Sequence, residues 1–385
     1  MKITISTVFF AALAFLMASL SVPCSAQVAL ADGAQPEFQP IRSNPIVYDI
    51  EFHAVVTPPY NCKSLKVWLP IPQSEFGQEV TEGTFESFPD AVAPQIGTEK
   101  TFGNKFAFFE FRNPRGAQII RHQFRVKVWE LHWNIDPTKI AKMQVYPASF
   151  APFLRGETQA VVVDDRFKAL QMEIVPSPSD PFHGMKSAMQ WVIDEFTYNH
   201  DNCSLAASSV HGLEQRGGHC SDYHGFCSAM GRTMGYPTRM TYGTNPFPKN
   251  SPSHCKMEAY LPPYGWVSFD VSETQRLLER IAKAENLDAN AKKQLAERAL
   301  NRFFGGFKDN TWFVHTRGSD YELAPPAANR AAVVRTIYAE ADGVALSEPD
   351  PADTTQTKFS WMTAHKYTAD KEVSYPFSDI ESLKK

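Results

Sequence analysis

"RGGHCSDYHGFCSAMGRTMGYPTR", residues Arg216 to Arg239, runs from a glycine pair through a cysteine into an apolar pattern of helical spacing. Cys220, Tyr223, Cys227, Met230 and Met234 recur at steps of three and four, which predicts a helix from Cys220 to Met234. Gly235 and Pro237 mark its end. Gly217 and Gly218 allow a tight turn into its start. Cys220 therefore falls in the first helical turn. Unpaired backbone N–H groups and the positive end of the helix dipole stabilise a thiolate there. The same position also suits the first core residue of a buried helix, because free cysteine is so often buried. A nearby base is what separates the two readings.

A base lies downstream in "SHCKMEAYLPPYGWVSFDVSE". The pattern predicts a hairpin, with strands over Cys255 to Leu261 and Trp266 to Asp270 and a turn around Pro262 to Gly265. His254 begins the first strand and Asp270 ends the second. A three-residue turn would set them opposite each other on one face; a four-residue turn would offset them. Either way an imidazole and a carboxylate meet, and such a pair can activate a thiol. His219, Cys220, His224, Cys227, His254 and Cys255 also cluster in a way that raises zinc. However, there is no CxxC, and the two helix cysteines are two turns apart. No metal or cofactor is expected.

The rest of the chain sets bounds. At 385 residues it is long enough for two domains or three, and a net charge of −4 without basic runs gives no reason to expect nucleic acid as a partner. Lys2, the apolar run Val8 to Met17 and the small residues after it read as a secretory signal over residues 1–31, cleaved after Ala26 or Ala31. An uncleaved membrane anchor is the alternative for this segment. No later apolar run reaches spanning length, so no membrane span is expected in the mature chain, and the expected location is secreted or periplasmic, in the cell envelope. Of the 6 cysteines the signal removes Cys24 and leaves Cys62, Cys203, Cys220, Cys227 and Cys255, an odd set with at least one free thiol in a monomer.

Residues 40–135 read as an all-β, sandwich-like domain, with "IVYDIEFHAVV", "LKVWLPI", "KFAFFEF" and "QIIRHQFRVKVWEL" as strands. Residues 136–159 read as a connector and 160–345 as an α+β core. Asp180 and Pro181 start a helix whose apolar stripe runs from Met185 to Phe196. The charged stretch after Asp270 reads as a solvated helix or helix pair, and "NTWFVHTRGSDYELAP" as a further hairpin. His315 within it reads as a structural strand histidine. Residues 346–385 read as a linker followed by a loosely held tail.

Taken together, "GGHCSDYHGFCSAMGRTMGYPTR", "HCKMEAYLPPYGWVSFD", "FFGG" and "GSDYEL" resemble the bacterial transglutaminase-like superfamily. The resemblance spans roughly Pro45 to Gly343. It implies a papain-like core, with the nucleophile helix packed on an antiparallel sheet, behind an N-terminal β domain. It carries the family's triad onto Cys220, His254 and Asp270. "HCKMEAY" departs from the family, which has small and aromatic residues after the histidine, so Cys255 is either disulfide-bonded or free. The implied chemistry is acyl transfer through a Cys220 thioester, with His254 as base and Asp270 orienting it. One oxyanion donor is the Cys220 backbone N–H; the candidates for a second are Tyr198, Trp191 and Gln215. Asp222 and Tyr223 are expected to support the helix. The substrate class is a protein, peptide or cell-wall amide. Hydrolysis is the favoured outcome; protein cross-linking and a non-catalytic surface binding module are the alternatives, and oligomeric state is not legible.

The mature chain should begin at Gln27 or Asp32. Mass spectrometry of exported protein checks this, and recovery of intact Met1 to Ala26 would contradict it.

Overall fold

The computed structural model of the chain describes residues 36–141, 145–249, 252–348 and 359–384. The leader expected at residues 1–31 lies outside the described residues. Alternating burial begins the fold. Along β1 (Ile41–Val56) every second residue from Ile46 to Val56 is buried, because a pleated strand turns successive side chains to opposite faces. β2 (Ser64–Ile71), β3 (Gln78–Val80), β4 (Thr84–Phe88), β5 (Gln95–Thr98), β6 (Lys105–Arg112) and β7 (Gln118–His132) complete the N-terminal strands. They divide between two antiparallel sheets, one built around β1 and β7 and one around β2 and β6. Tyr48, Phe52 and Val126 from the first meet Val67 and Phe109 from the second in one apolar cluster. The α+β class, with a β-rich N-terminal region, is therefore as expected.

A mixed run of helices and strands follows. They are α1 (Ala151–Leu154), α2 (Asp165–Ile174), α3 (Pro181–Glu195), β8 (Thr197–Tyr198), α4 (Ser209–Gln215), β9 (Gly217–Gly218) and α5 (Cys220–Thr233). After them come β10 (Thr238–Thr244), β11 (Ser253–Leu261), β12 (Gly265–Phe269), α6 (Val271–Lys283), α7 (Ala289–Phe304), β13 (Phe307–Lys308) and β14 (Phe313–Arg317). β12, β11, β10 and β14 form an antiparallel sheet in that order. The expected cysteine helix is α5. It packs on β10 and β11 and is buried on every face from Cys220 to Arg232. Its buried arginine is held through both Nη atoms. Arg232 reaches Glu157 at 2.7 Å and the carbonyls of Arg155 and Thr238. After the helix, Gly235 adopts φ +78, which suits glycine at a helix end.

Three expectations change. The sandwich takes more of the chain than residues 40–135: β15 (Tyr338–Ala341) pairs with β2, and β16 (Val344–Ala345) pairs with β15. β17 (Trp361–Ala369) extends along β1 from Tyr48 to Val56. Residues expected as a loose tail thus fill a sheet edge, and further on Phe377 and Leu383 are buried against Leu277, Ile281 and Leu295 of the α6–α7 pair. The polar stretch near Glu348 suggested a linker but said nothing about the alternating strand beyond it. Residues 136–159 are more than a spacer, because Phe150 and Phe153 pack with Trp68, Trp266 and Tyr321 between sandwich and core. The hairpin expected in "NTWFVHTRGSDYELAP" is one strand, β14, on β10; Tyr321 makes only an isolated bridge to Ala331.

Gly225 has no room for a side chain, since a Cβ there would lie 2.6 Å from the Ala207 carbonyl oxygen. Gly225→Ala should lower stability by about 1–3 kcal/mol despite alanine's better helix propensity. Urea denaturation tests it; an unchanged or raised midpoint would contradict the packing described here.

Candidate active site

The glycine pair answers to its surroundings. Gly217 and Gly218 form β9 and pair in parallel with Thr197 and Tyr198 of β8. Gly218 has φ +126, and a Cβ on it would strike the Asp222 carboxylate at 2.3 Å. That carboxylate closes the helix start. It accepts from the His219 backbone N–H at 3.0 Å and from Ser204 N–H at 3.2 Å, and meets His219 Nδ1 at 2.9 Å. On the other side of the ring, Arg335 Nη1 lies 3.0 Å from His219 Nε2. Arginine can only donate, so Nε2 must offer a lone pair while Nδ1–H faces Asp222. Tyr223 turns inward and donates to Gln275 at 2.7 Å.

The next residue, Cys220, is 8% exposed and opens onto a cavity of about 550 Å³. His254 and Cys255 of β11 line the same cavity, with Tyr198, His200, His219 and Arg335. His254 Nε2 bonds to Asp270 Oδ2 at 2.8 Å. The loop between β11 and β12 has three residues, yet the two do not sit opposite each other. Leu261 pairs with Gly265 and Met257 with Phe269, so the next step would put Lys256 opposite Asp270. His254 and Asp270 share a face but are offset by one same-face step. They meet because Asp270 has already left the ladder to become the N-cap of α6, accepting from Glu273 N–H at 3.2 Å.

The offset brings in Lys256, which the sequence reading overlooked. Its ammonium lies 3.3 Å from Asp270 Oδ2, bonds to Asp309 as well, and is 1% exposed. Burial works against a charged Asp270, but His254 and Lys256 override it and hold the carboxyl well below its usual range. Burial likewise works against a charged His254, yet Asp270 and the Cys220 sulfur raise its pKa to about 9.

Cys255 settles one open alternative and adds a second overlooked part. Cys62, Cys203, Cys220, Cys227 and Cys255 are all free thiols. His224 Nε2 accepts the Val271 backbone N–H at 3.0 Å, and burial lowers that ring's pKa to about 4. The ring is neutral, its proton is on Nδ1, and Nδ1 faces Cys255 Sγ at 3.6 Å. Cys255 sulfur is thus an acceptor from His224, so its own S–H stays available as a donor on the cavity wall that it shares with Cys220. The neighbouring Cys255 thiol, opposed by burial and aided by His254, holds the Cys220 thiol well below its ordinary pKa. Burial alone pushes the Cys227 thiol the other way, above the ordinary range.

The other sequence candidates divide. Tyr198 lines the cavity. Trp191 instead stacks on Phe226, with centroids 5.5 Å apart, and Gln215 is an exposed partner of Asn202. Neither lines the cavity. His315 lies away from it, stacked on Phe313 in β14. Among the described residues there is no His/Cys/Asp/Glu group arranged to hold a metal ion.

Cys220 should be alkylated before the other four cysteines at mildly acidic pH. Cys255→Ala should raise the pH at which alkylation is half-maximal, and Cys255→Ser, which keeps a donor, should restore part of the shift. Site-resolved mass spectrometry reads both; first reaction at another cysteine, or an unmoved midpoint in Cys255→Ala, would contradict this electrostatic account.

A model of the transglutaminase-like superfamily matches residues 168–271, which span α5, β11, β12 and Asp270. A solved structure from Cytophaga hutchinsonii, named as a candidate cysteine protease, is similar over 89% of this chain and 98% of its own, with a TM-score of 0.58 and 14% identity, a likeness of fold. The ethylmercury-bound periplasmic domain of TgpA from Pseudomonas aeruginosa is similar over 57% of this chain and 88% of its own, at 18% identity and a TM-score of 0.31. No curated protein matches. Among the described residues no helix is long and apolar enough to cross a membrane. Residues 168–271 thus match the transglutaminase-like superfamily model, and it is this segment that holds the cysteine helix and the hairpin of the site.

Proposed function

We propose that this protein is an exported, cysteine-dependent acyl-transfer enzyme that hydrolyses amide or peptide bonds. The observation that carries the reading is the buried chain Cys220, His254, Asp270, whose His254–Asp270 bond is 2.8 Å, at the start of a helix that opens onto a cavity. The reaction begins with the thiolate of Cys220 adding to an amide carbonyl carbon. Charge builds on the carbonyl oxygen, where the unpaired N–H of the first helical turn and the Tyr198 hydroxyl are the donors at hand. Collapse breaks the C–N bond, and His254, protonated below about 9, gives its proton to the leaving amine. The neutral imidazole then takes a proton from water, which attacks the thioester and releases the acid and Cys220. Asp270 keeps Nε2–H pointed at itself, leaving Nδ1 for the thiol and the leaving group. The signal-like leader supports placement in the cell envelope, secreted or periplasmic.

Cys220→Ala and His254→Ala should each abolish turnover of a peptide amide, and Asp270→Asn should lower it by on the order of 10²- to 10⁴-fold. Full activity in folded Cys220→Ala would reject the cysteine mechanism. Faster release of the leaving amine on adding a primary amine, with the amine incorporated into product, would instead mark a cross-linker.

The pH profile should lose activity as pH rises through about 9, where His254 gives up the proton the leaving amine needs. Because Asp270 helps raise that pKa, Asp270→Asn should move the alkaline limb to lower pH. An unmoved limb would mean that another group sets it.

A further inference from the structure

One cavity wall has a charge pattern the hydrolytic steps do not use. Lys249, Arg276 and Arg335 line it, against the single carboxylate of Glu348. Lys249 and Arg276 both reach Glu273, each at 3.0 Å, so two cations share one anion there. Arg335 is the most committed of the three. Its side chain is 10% exposed, and its guanidinium spans from His219, the residue before the nucleophile, to the carboxylate of Glu348. Its Nε is buried and has no hydrogen-bond partner. Glu348 itself is 28% exposed and lies three residues beyond β16, outside any strand, so it is the more easily displaced partner.

A buried arginine fork beside a nucleophile is a carboxylate receptor, because guanidinium matches a carboxylate in charge and geometry and the low-dielectric wall strengthens the pair. Glu348 then occupies the place a substrate anion would take. We propose that Arg335 selects acyl donors bearing a free carboxylate beside the scissile amide, with Glu348 holding that subsite until such a substrate displaces it. This rests on Cys220 being the nucleophile, as proposed above.

Alkylation tests the subsite without a known substrate. Iodoacetate and iodoacetamide both transfer a two-carbon unit to a thiolate with loss of iodide, and only the first carries a carboxylate. The ratio of their rates at Cys220, relative to free cysteine, should favour iodoacetate by about tenfold or more in the full chain, the scale of one charge-assisted pair. Arg335→Gln should return the ratio to that of free cysteine. Glu348→Gln, which takes the competing charge away from Nη2 while Nη1 stays on His219, should raise it further, and that arm holds even if Arg335→Gln folds poorly. The same ratio in wild type and Glu348→Gln, at the free-cysteine value, would overturn the carboxylate inference alone. A Cys220 inert to both reagents would overturn the nucleophile reading and the inference with it. Two peptides separate the sources of the anion: one with an acidic side chain and a blocked C-terminus, the other with neutral side chains and a free C-terminus. Whichever outpaces a fully blocked neutral peptide in wild type, and loses that lead in Arg335→Gln, is the substrate class. A lead for neither contradicts the proposal.

Discussion

Asp270 is a carboxylate buried to 1% exposure at the point where a strand becomes a helix, and it has to be compensated from several directions at once. It caps α6 through Glu273 N–H, receives His254 Nε2–H, and faces the ammonium of Lys256. Lys256 is in turn tied to Asp309, whose other oxygen caps Thr311. Breaking a buried pair by removing one member leaves an uncompensated charge, typically at a cost of about 3–5 kcal/mol. The same network that stabilises the β12–α6 corner therefore fixes the tautomer and orientation of His254. Fold and chemistry share one constraint here.

The helix side is built on a similar logic. Asp222 replaces the N–H partners missing at the start of α5, and only glycine at 218 leaves room for it. Cys220 then sits at the helix dipole's positive end and shares a cavity wall with Cys255 and His254. Cys255 keeps its own S–H available there because His224, neutral and anchored by Val271 N–H, spends its own proton on the Cys255 sulfur. Each of these groups is buried, so each hydrogen bond is set by what the neighbour can still give or accept.

What could be read from sequence was local. Steps of three and four found α5 to within one residue of its end, and alternation found β1, β2, β6, β7 and β11. The histidine and the carboxylate of the site came from one hairpin, where chain proximity limits the possibilities. The register did not, because the position of the turn as well as its length sets the pairing, and Lys256 was missed with it. Arg335 lies 115 residues beyond Cys220 in a stretch with no motif of its own, so only tertiary packing brings it to the cavity. Trp191 and Gln215 failed as oxyanion candidates for the opposite reason. They are near in sequence, but α3 and α4 turn them toward Phe226 and Asn202. The tail was misjudged because its polar beginning was read as the character of the whole, while Trp361, Thr363, His365 and Tyr367 alternate as a strand should.

The central claim is that the fold keeps Cys220 as a thiolate paired with protonated His254. A difference titration of thiolate ultraviolet absorbance between wild type and Cys220→Ala measures it directly, with no substrate. Wild type should show one thiolate at neutral pH that is absent from the variant, persists well below the ordinary cysteine range and is lost together with the His254 proton pairing in His254→Ala. A difference signal that appears only near the free-cysteine value of about 8.5, unchanged by His254→Ala, would contradict it.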